Sequence, residues 1–392
     1  MALTAGHPLQ GSQGTNGSFY GTTQNGGAII YEGLTFGTVF KITPSGTLTT
    51  LYSFCFVDAP YCFDGDFPQA PLIQANSGVF YGTTESGGTN GGYGTIFKIT
   101  PGGTFATVHS FSGNDGSAPV AGLLQAANGN LYGTTNGGGN NCGTIFEMTP
   151  NGTLTTLYSF NCTDGQNPLG LVHASNLEFY GMTGNGGSGV CGTYPNYYGC
   201  GTIFGISPNG KLKTLHNFRA GAGGSLPFGS LIQATDGNFY GVTFDGGTGG
   251  CTTNGIVTGC GTIFKIAPNG TFTTLHSFDG TNGGRPQAGL IQATNGNFYG
   301  TTPSTLFTLS VGLGPFVTTL PVSGKVGGTV KILGTDLTDA ISVTFNGVPS
   351  KFTVVSATEI TTTVPTGATT GNLQVVTPGG TLLSNVSFQV IP

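Results

Sequence analysis

Apolar and polar positions alternate along this chain in short bursts and never at helical spacing. Within residues 231–278 the bursts are 231–234, 239–243, 262–267 and 271–278, each rich in β-branched and aromatic residues. Thr235-Asp236-Gly237-Asn238 separates the first pair, and Pro268-Asn269-Gly270 the second. Asp-Gly and Asn-Gly accept the positive φ of tight hairpins, so the pattern predicts four antiparallel strands. No segment carries a 3.6-residue apolar period long enough for a helix.

This passage is written five times in full, with a truncated sixth copy. Tyr20, Tyr81, Tyr132, Tyr180, Tyr240 and Tyr299 mark the copies, and a GT(I/V)F segment follows at Gly37, Gly94, Gly143, Gly201 and Gly261. Four strands per copy, repeated at this period, predict the blades of an all-β propeller over residues 1–312, with six blades. The sixth copy passes directly to Ser304-Thr305-Leu306-Phe307 and lacks a fourth strand. Residues 2–5 are the expected closing strand, beside 305–310. Over 313–392 about seven short strands with regular turn signals predict a small immunoglobulin-like sandwich.

In a four-stranded meander, the first-to-second and third-to-fourth turns share one face. The second-to-third loops and the connections between blades share the other. Here the first face holds only tight turns. Residues 25–36, 184–200 and 244–260 are long second-to-third loops, and 55–67 is a long connection. Variable loops on a rigid scaffold are common binding elements, so the long-loop face is the candidate functional face.

Composition narrows the function classes. Ten Lys plus Arg, 15 Asp plus Glu and a net charge of −5 leave no electrostatic footprint for nucleic acid. No apolar run is long enough to span a membrane as a helix. The 73 glycines sit in strict repeats alongside 37% hydrophobic residues, which fits a turn-dense folded protein. Pairing the eight cysteines by proximity gives Cys55–Cys62, Cys142–Cys162, Cys191–Cys200 and Cys251–Cys260, one of many connectivities. All four bridges would lie on the long-loop face and place the chain in an oxidising compartment, extracellular or at the cell surface. The start, Met1 to Pro8, lacks the charged and apolar regions of a signal peptide, so one is expected to have been removed.

The strongest polar recurrence is Asp-Gly-x-x-Pro in the connections between blades, at Asp64, Asp115 and Asp164, with Gly223 and Asn282 in later copies. A ring of carboxylates binding cations or sugar hydroxyls is one reading. A repeated Asx-turn corner is the other, favoured because Gly and Asn both form turns. Asp64 and Asp66 flank one glycine and form a candidate calcium pair, although EF-hand spacing and a distal Glu are missing. With Asp115, Asp164 and Asp245 they also form a pool of acids for glycoside chemistry. His173 replaces the Gln of the sister strands (Gln74, Gln125, Gln233, Gln292) and is a candidate general base, weighed against a structural role. His109, His216 and His276 take the place of Tyr52 and Tyr158, which points to half-buried strand positions. Tyr194, Tyr197 and Tyr198 cluster in one long loop and suit sugar-ring stacking, weighed against a loop-packing role, with Arg285 as a further contact. Nucleophile-elbow, phosphate-loop and zinc motifs are missing.

The segments DGNFYGVT, GTIFKIAPNGT and LYSF, over residues 8–310, resemble the GloVer (Gloeo/Verruco) tandem repeat. That resemblance implies export and often a C-terminal anchoring device, and it carries no catalytic residues to transfer. The last 79 residues resemble an IPT/TIG domain through their PVSGKVGGTVKILG start, the VTFNGV strand and TEITTTVP. Such domains imply a spacer or interaction module. The expected function is a secreted or surface binding protein that recognises glycan or a surface protein through the long-loop face. Two alternatives are a polysaccharide hydrolase or lyase using the acids and His173 at the channel mouth, and a structural component of an extracellular assembly.

Overall fold

The computed structural model describes residues 12–56, 61–126, 128–191, 199–253 and 256–391, all without helix. Five four-stranded antiparallel sheets follow one another, each ordered as a meander, and a three-stranded sixth completes the repeats. The second sheet is Ile73–Gln74, Phe80–Thr84, Thr95–Ile99 and Phe105–Ser110. The sixth is Ile291–Gln292, Phe298–Thr301 and Leu306–Leu309. The proposed closing strand, residues 2–5, lies outside the described residues.

The repeat motif is explained by packing. The glycine of each Phe/Leu-Tyr-Gly lies directly opposite the phenylalanine of the next strand, as Gly133 does opposite Phe146. A Cβ built on Gly133, Gly181 or Gly241 would stand 2.6 Å from Phe146, Phe204 or Phe264. Only glycine leaves room for the ring. The neighbouring tyrosine reaches the next blade: Tyr20 packs on Phe80 at 4.1 Å and Tyr132 on Phe179 at 4.3 Å between ring centroids. Tyr20 and Tyr132 therefore pack between blades.

A second tie joins the blades at the tight-turn end. Gln74 Oε1 accepts from the Thr15 N–H of the preceding blade at 2.9 Å, while Gln74 Nε2 donates to Gly78 O in its own turn at 3.0 Å. Gln125 does the same between Asn76 and Gly129, and Gln292 between Thr235 and Gly296.

Successive first strands also converge. A Cβ on Gly170 would stand 2.5 Å from Ser230 Oγ, and one on Gly289 would stand 2.9 Å from Ser230 O. Each first strand runs into a tight turn, so its beginning lies at the long-loop end.

By internal contacts the chain divides into two compact units, residues 1–231 with 241–289, and residues 232–240 with 290–392. The second unit thus takes in the sixth repeat sheet, which the sequence assigned to the propeller. It also holds two four-stranded sheets, one of Thr318–Leu320, Thr329–Leu333, Glu359–Thr363 and Phe352–Ser356, the other of Val348–Ser350, Ser342–Phe345, Leu373–Thr377 and Gly380–Leu383. They enclose a core that includes Val330, Ile332, Phe345, Ile360, Val375 and Phe388. This is the immunoglobulin-like sandwich.

Candidate functional site

The connections between blades turn on a repeated corner. Asp64 Oδ2 accepts from the Tyr52 hydroxyl at 2.6 Å and from the Phe56 N–H at 3.1 Å. Asp115 meets His109 Nε2 at 2.9 Å and accepts from the Ser112 N–H at 2.8 Å. Asp164 accepts from the Tyr158 hydroxyl at 2.6 Å and from the Asn161 N–H at 3.0 Å. Asn282 takes the same place beside His276, at 3.3 Å. The acids thus close turns and clasp the fourth strand, which supports the Asx-turn reading. Burial, then the bond to Asp164, pushes the Tyr158 hydroxyl up to about 12. The partnership between the Tyr/His position and the Asp was not recognised in the sequence, where Asp stays constant in three copies while its partner switches between Tyr and His.

The rest of the motif follows. The glycine after each Asp sits on a buried threonine pair, such as Thr135–Thr144 at 2.8 Å. A Cβ on Gly116 would stand 2.6 Å from Thr135. The proline packs on the glycine that opens the third strand, Pro119 Cδ lying 2.7 Å from where a Gly94 Cβ would be.

One member of the acid pool is unusual. Asp66 is buried, its Oδ1 lacks a hydrogen-bond partner, and burial followed by repulsion from Glu85 and Asp64 raises its carboxyl to about 6. Asp64 Oδ1 is likewise buried without a partner. Among the described residues no group of three or more His, Cys, Asp or Glu is placed to hold a metal ion.

His173 ends the strand Gln166–His173 and stacks on Phe179 at 4.9 Å. Burial lowers its pKa below the ordinary histidine value. The strand spans roughly 23 Å at about 3.3 Å per residue, with Asp164 before its start. His173 thus belongs to the tight-turn end. The expectation that it joins the acids at the long-loop mouth is corrected by the direction of its own strand.

Arg285 does lie at the long-loop end, and it organises that end. Its Nη2 donates to Thr252 O and Thr253 Oγ1, both at 2.7 Å. Its guanidinium lies 5.5 Å from the Phe244 ring centroid, and its Nε lies 3.7 Å from Asp245 Oδ1. Burial raises the Asp245 carboxyl against the lowering effects of Thr258 and Arg285.

All four cysteine pairs form as the sequence predicted: Cys55–Cys62, Cys142–Cys162, Cys191–Cys200 and Cys251–Cys260. Each lies at the long-loop end, and bridges of this density belong to an oxidising compartment. Around them stand exposed aromatic side chains. Tyr61 and Phe63 have centroids 6.1 Å apart and planes 16° from parallel. Tyr31, Phe56, Tyr93 and Phe228 are exposed as well. Tyr194, Tyr197 and Tyr198 lie outside the described residues. The opposite face offers a crevice of about 120 Å³ lined by Ala75, Asn76, Tyr81, Gln125, Leu131 and Pro150. That is well below the roughly 300–1,000 Å³ of typical ligand pockets.

Comparisons with known proteins agree with this architecture. The extracellular domain of a protein described as a hybrid two component system from B. thetaiotaomicron aligns over all of this chain and 51% of its own, at 11% identity and a TM-score of 0.52. The present chain thus spans about half of that one. Weaker likenesses include Kuenenia stuttgartiensis hydrazine synthase (12% identity, 86% of this chain, 79% of that one, TM-score 0.48). A gluconolactonase from Xanthomonas campestris is another (11% identity, 77% and 94%, TM-score 0.39). At 11% identity the first of these matches concerns the fold alone. No curated protein matches the chain. The Gloeobacter/Verrucomicrobia repeat matches residues 2–195 and 194–308, and the IPT/TIG domain matches residues 315–390. The chain therefore belongs to the Gloeobacter/Verrucomicrobia repeat family and carries a C-terminal IPT/TIG domain.

Proposed function

We propose that the protein is an extracellular glycan-binding module that engages its ligand through the long-loop face of the propeller, with the IPT/TIG domain as spacer or docking module. One observation carries this reading. Of the seven exposed aromatic residues among those described, six (Tyr31, Phe56, Tyr61, Phe63, Tyr93 and Phe228) stand at the long-loop end, and Phe19 alone does not. Aromatic faces stack on the C–H faces of sugar rings, and loops already closed by disulfides lose less freedom when they bind.

The hydrolase or lyase reading has less support. The recurrent acids are engaged by Tyr52, His109 and Tyr158, and His173 lies at the other end of its strand. The test is a glycan array probed with the intact oxidised chain, paired with a polysaccharide-degradation assay. Binding without degradation is expected. Chain cleavage with turnover would favour the enzyme, and silence in both assays would remove the glycan reading.

A further inference from the structure

The residue before each connection's proline has a backbone that its side chain should avoid. Phe67, Ala118, Asn167, Leu226 and Arg285 all adopt positive φ, between 52° and 56°. Glycine takes this conformation without steric cost, and other residues are strained there. This chain uses glycine at most of its positive-φ positions, and only thirteen described residues of other types share that conformation. Five of those thirteen are this one position. In all five copies the chain keeps a side chain where glycine would relieve the strain.

The backbone at the position is invariant in its bonding. The N–H of Phe67 donates to Phe36 O at 2.9 Å, that of Ala118 to Tyr93 O at 2.9 Å, and that of Leu226 to Cys200 O at 2.9 Å. Asn167 and Arg285 donate likewise to Cys142 O and Cys260 O. The frame is fixed while the side chain changes from aromatic to methyl, amide, branched aliphatic and guanidinium. The side chains are engaged differently, Phe67 packing against a buried cluster, Asn167 bonding to Asn136 O and to Asn185, and Arg285 bonding to Thr252 and Thr253, so no single packing role recurs as it does at the neighbouring glycine and proline. All five side chains are half-buried at the long-loop end: Asn167 and Leu226 are the second residues of the first strands Gln166–His173 and Ser225–Gln233, and Phe67, Ala118 and Arg285 each precede a first strand by six residues.

We infer that these five residues form an inner arc that sets ligand specificity on the long-loop face, each blade presenting one interchangeable side chain from a common strained corner. Strained positions held by a rigid surround are characteristic of binding sites. The arc mixes apolar faces with an amide and carries no excess charge, since Arg285 is paired with Asp245. Its complement is therefore a neutral saccharide with C–H faces and hydroxyls. The inference rests on the glycan-binding reading and refines it.

The test uses the full chain and Asn167→Gly, Leu226→Gly and the double variant. The probes are neutral gluco-, xylo-, manno- and chito-oligosaccharides, with oligogalacturonate as the anionic comparison. Thermal midpoints should stay level or rise, because glycine relieves the backbone. Affinity for the neutral oligosaccharide that binds best should fall at least about fivefold in the double variant, with a changed ranking among the probes. Unchanged affinity and ranking would overturn the inference, as would lost binding that merely follows a fall in thermal midpoint. If Tyr61→Ala with Phe63→Ala abolishes binding while the glycine variants bind normally, the glycan reading stands and the arc fails. Preference for oligogalacturonate would overturn the neutral class, and no binding to any probe would overturn both.

Discussion

The Tyr158 hydroxyl donates to Asp164 Oδ2 at 2.6 Å, while the other oxygen of that carboxylate accepts from the Asn161 N–H at 3.0 Å. One aspartate thereby closes the turn after a fourth strand and holds that strand's side chain. The same clasp recurs at Tyr52–Asp64 and His109–Asp115, so the recurrent acids are corner pieces of the scaffold.

Tyr158→Phe should therefore lower stability by about 1–2 kcal/mol, because it strands a hydrogen-bonded carboxylate oxygen. Glycan affinity should stay within twofold. Urea denaturation monitored by tyrosine fluorescence, beside a binding titration, checks both. A large loss of affinity at unchanged stability would return Asp164 to the ligand site.

Asp66 gives a pH dependence. Its folded pKa, about 6, lies above the unfolded value, so the folded state holds a proton that the unfolded chain has released. This contribution to stability is full below about pH 4 and is lost as pH rises to about 6, in proportion to the shift. Asp66→Asn should flatten the thermal midpoint over that window and raise stability at pH 7 by roughly 1–3 kcal/mol. An unchanged pH profile in the variant would contradict the assignment.

The glutamine tie predicts opposite outcomes in two blades. Gln125→Ala removes bonds to Asn76 and Gly129 and should cost about 1–2 kcal/mol. His173→Gln supplies the residue that the sister strands use and should be neutral or stabilising by up to about 1 kcal/mol. Thermal denaturation of both variants decides it. A strongly destabilised His173→Gln would show that the histidine has a role of its own.

Replacing Cys142 and Cys162 by Ser opens the longest of the four disulfide loops, with a sequence separation of 20. The expected loss is about 3 kcal/mol on a chain-entropy basis. Chemical denaturation measures it, and non-reducing peptide mapping of the parent chain should recover all four pairs.

What the sequence revealed followed from repetition. Gly133 and Phe146 recur as a pair because one makes room for the other, and their period gave the blades. The disulfides were legible because three of them each close a single loop, with sequence separations of 7, 9 and 9, and Cys142–Cys162 joins neighbouring strand ends of one blade. The clasp of Tyr158 on Asp164 was harder to see, since its partners are separated by a turn and one of them alternates between Tyr and His. The arc of Phe67, Ala118, Asn167, Leu226 and Arg285 was missed because it has no residue type in common. Its common property is a backbone angle, which composition does not record. His173 was misplaced for a related reason: the direction of its strand decides its face, and the residue's chemistry does not.

The central claim is that ligand is bound at the long-loop face, and hydrogen–deuterium exchange of the intact chain with its best array oligosaccharide tests it most directly. New protection should appear at 61–68, 85–94, 118–120 and 224–229, with little change at 75–79, 128–130 and 235–238 on the tight-turn face. Protection confined to those tight turns, around the crevice of Tyr81 and Gln125, would contradict the account.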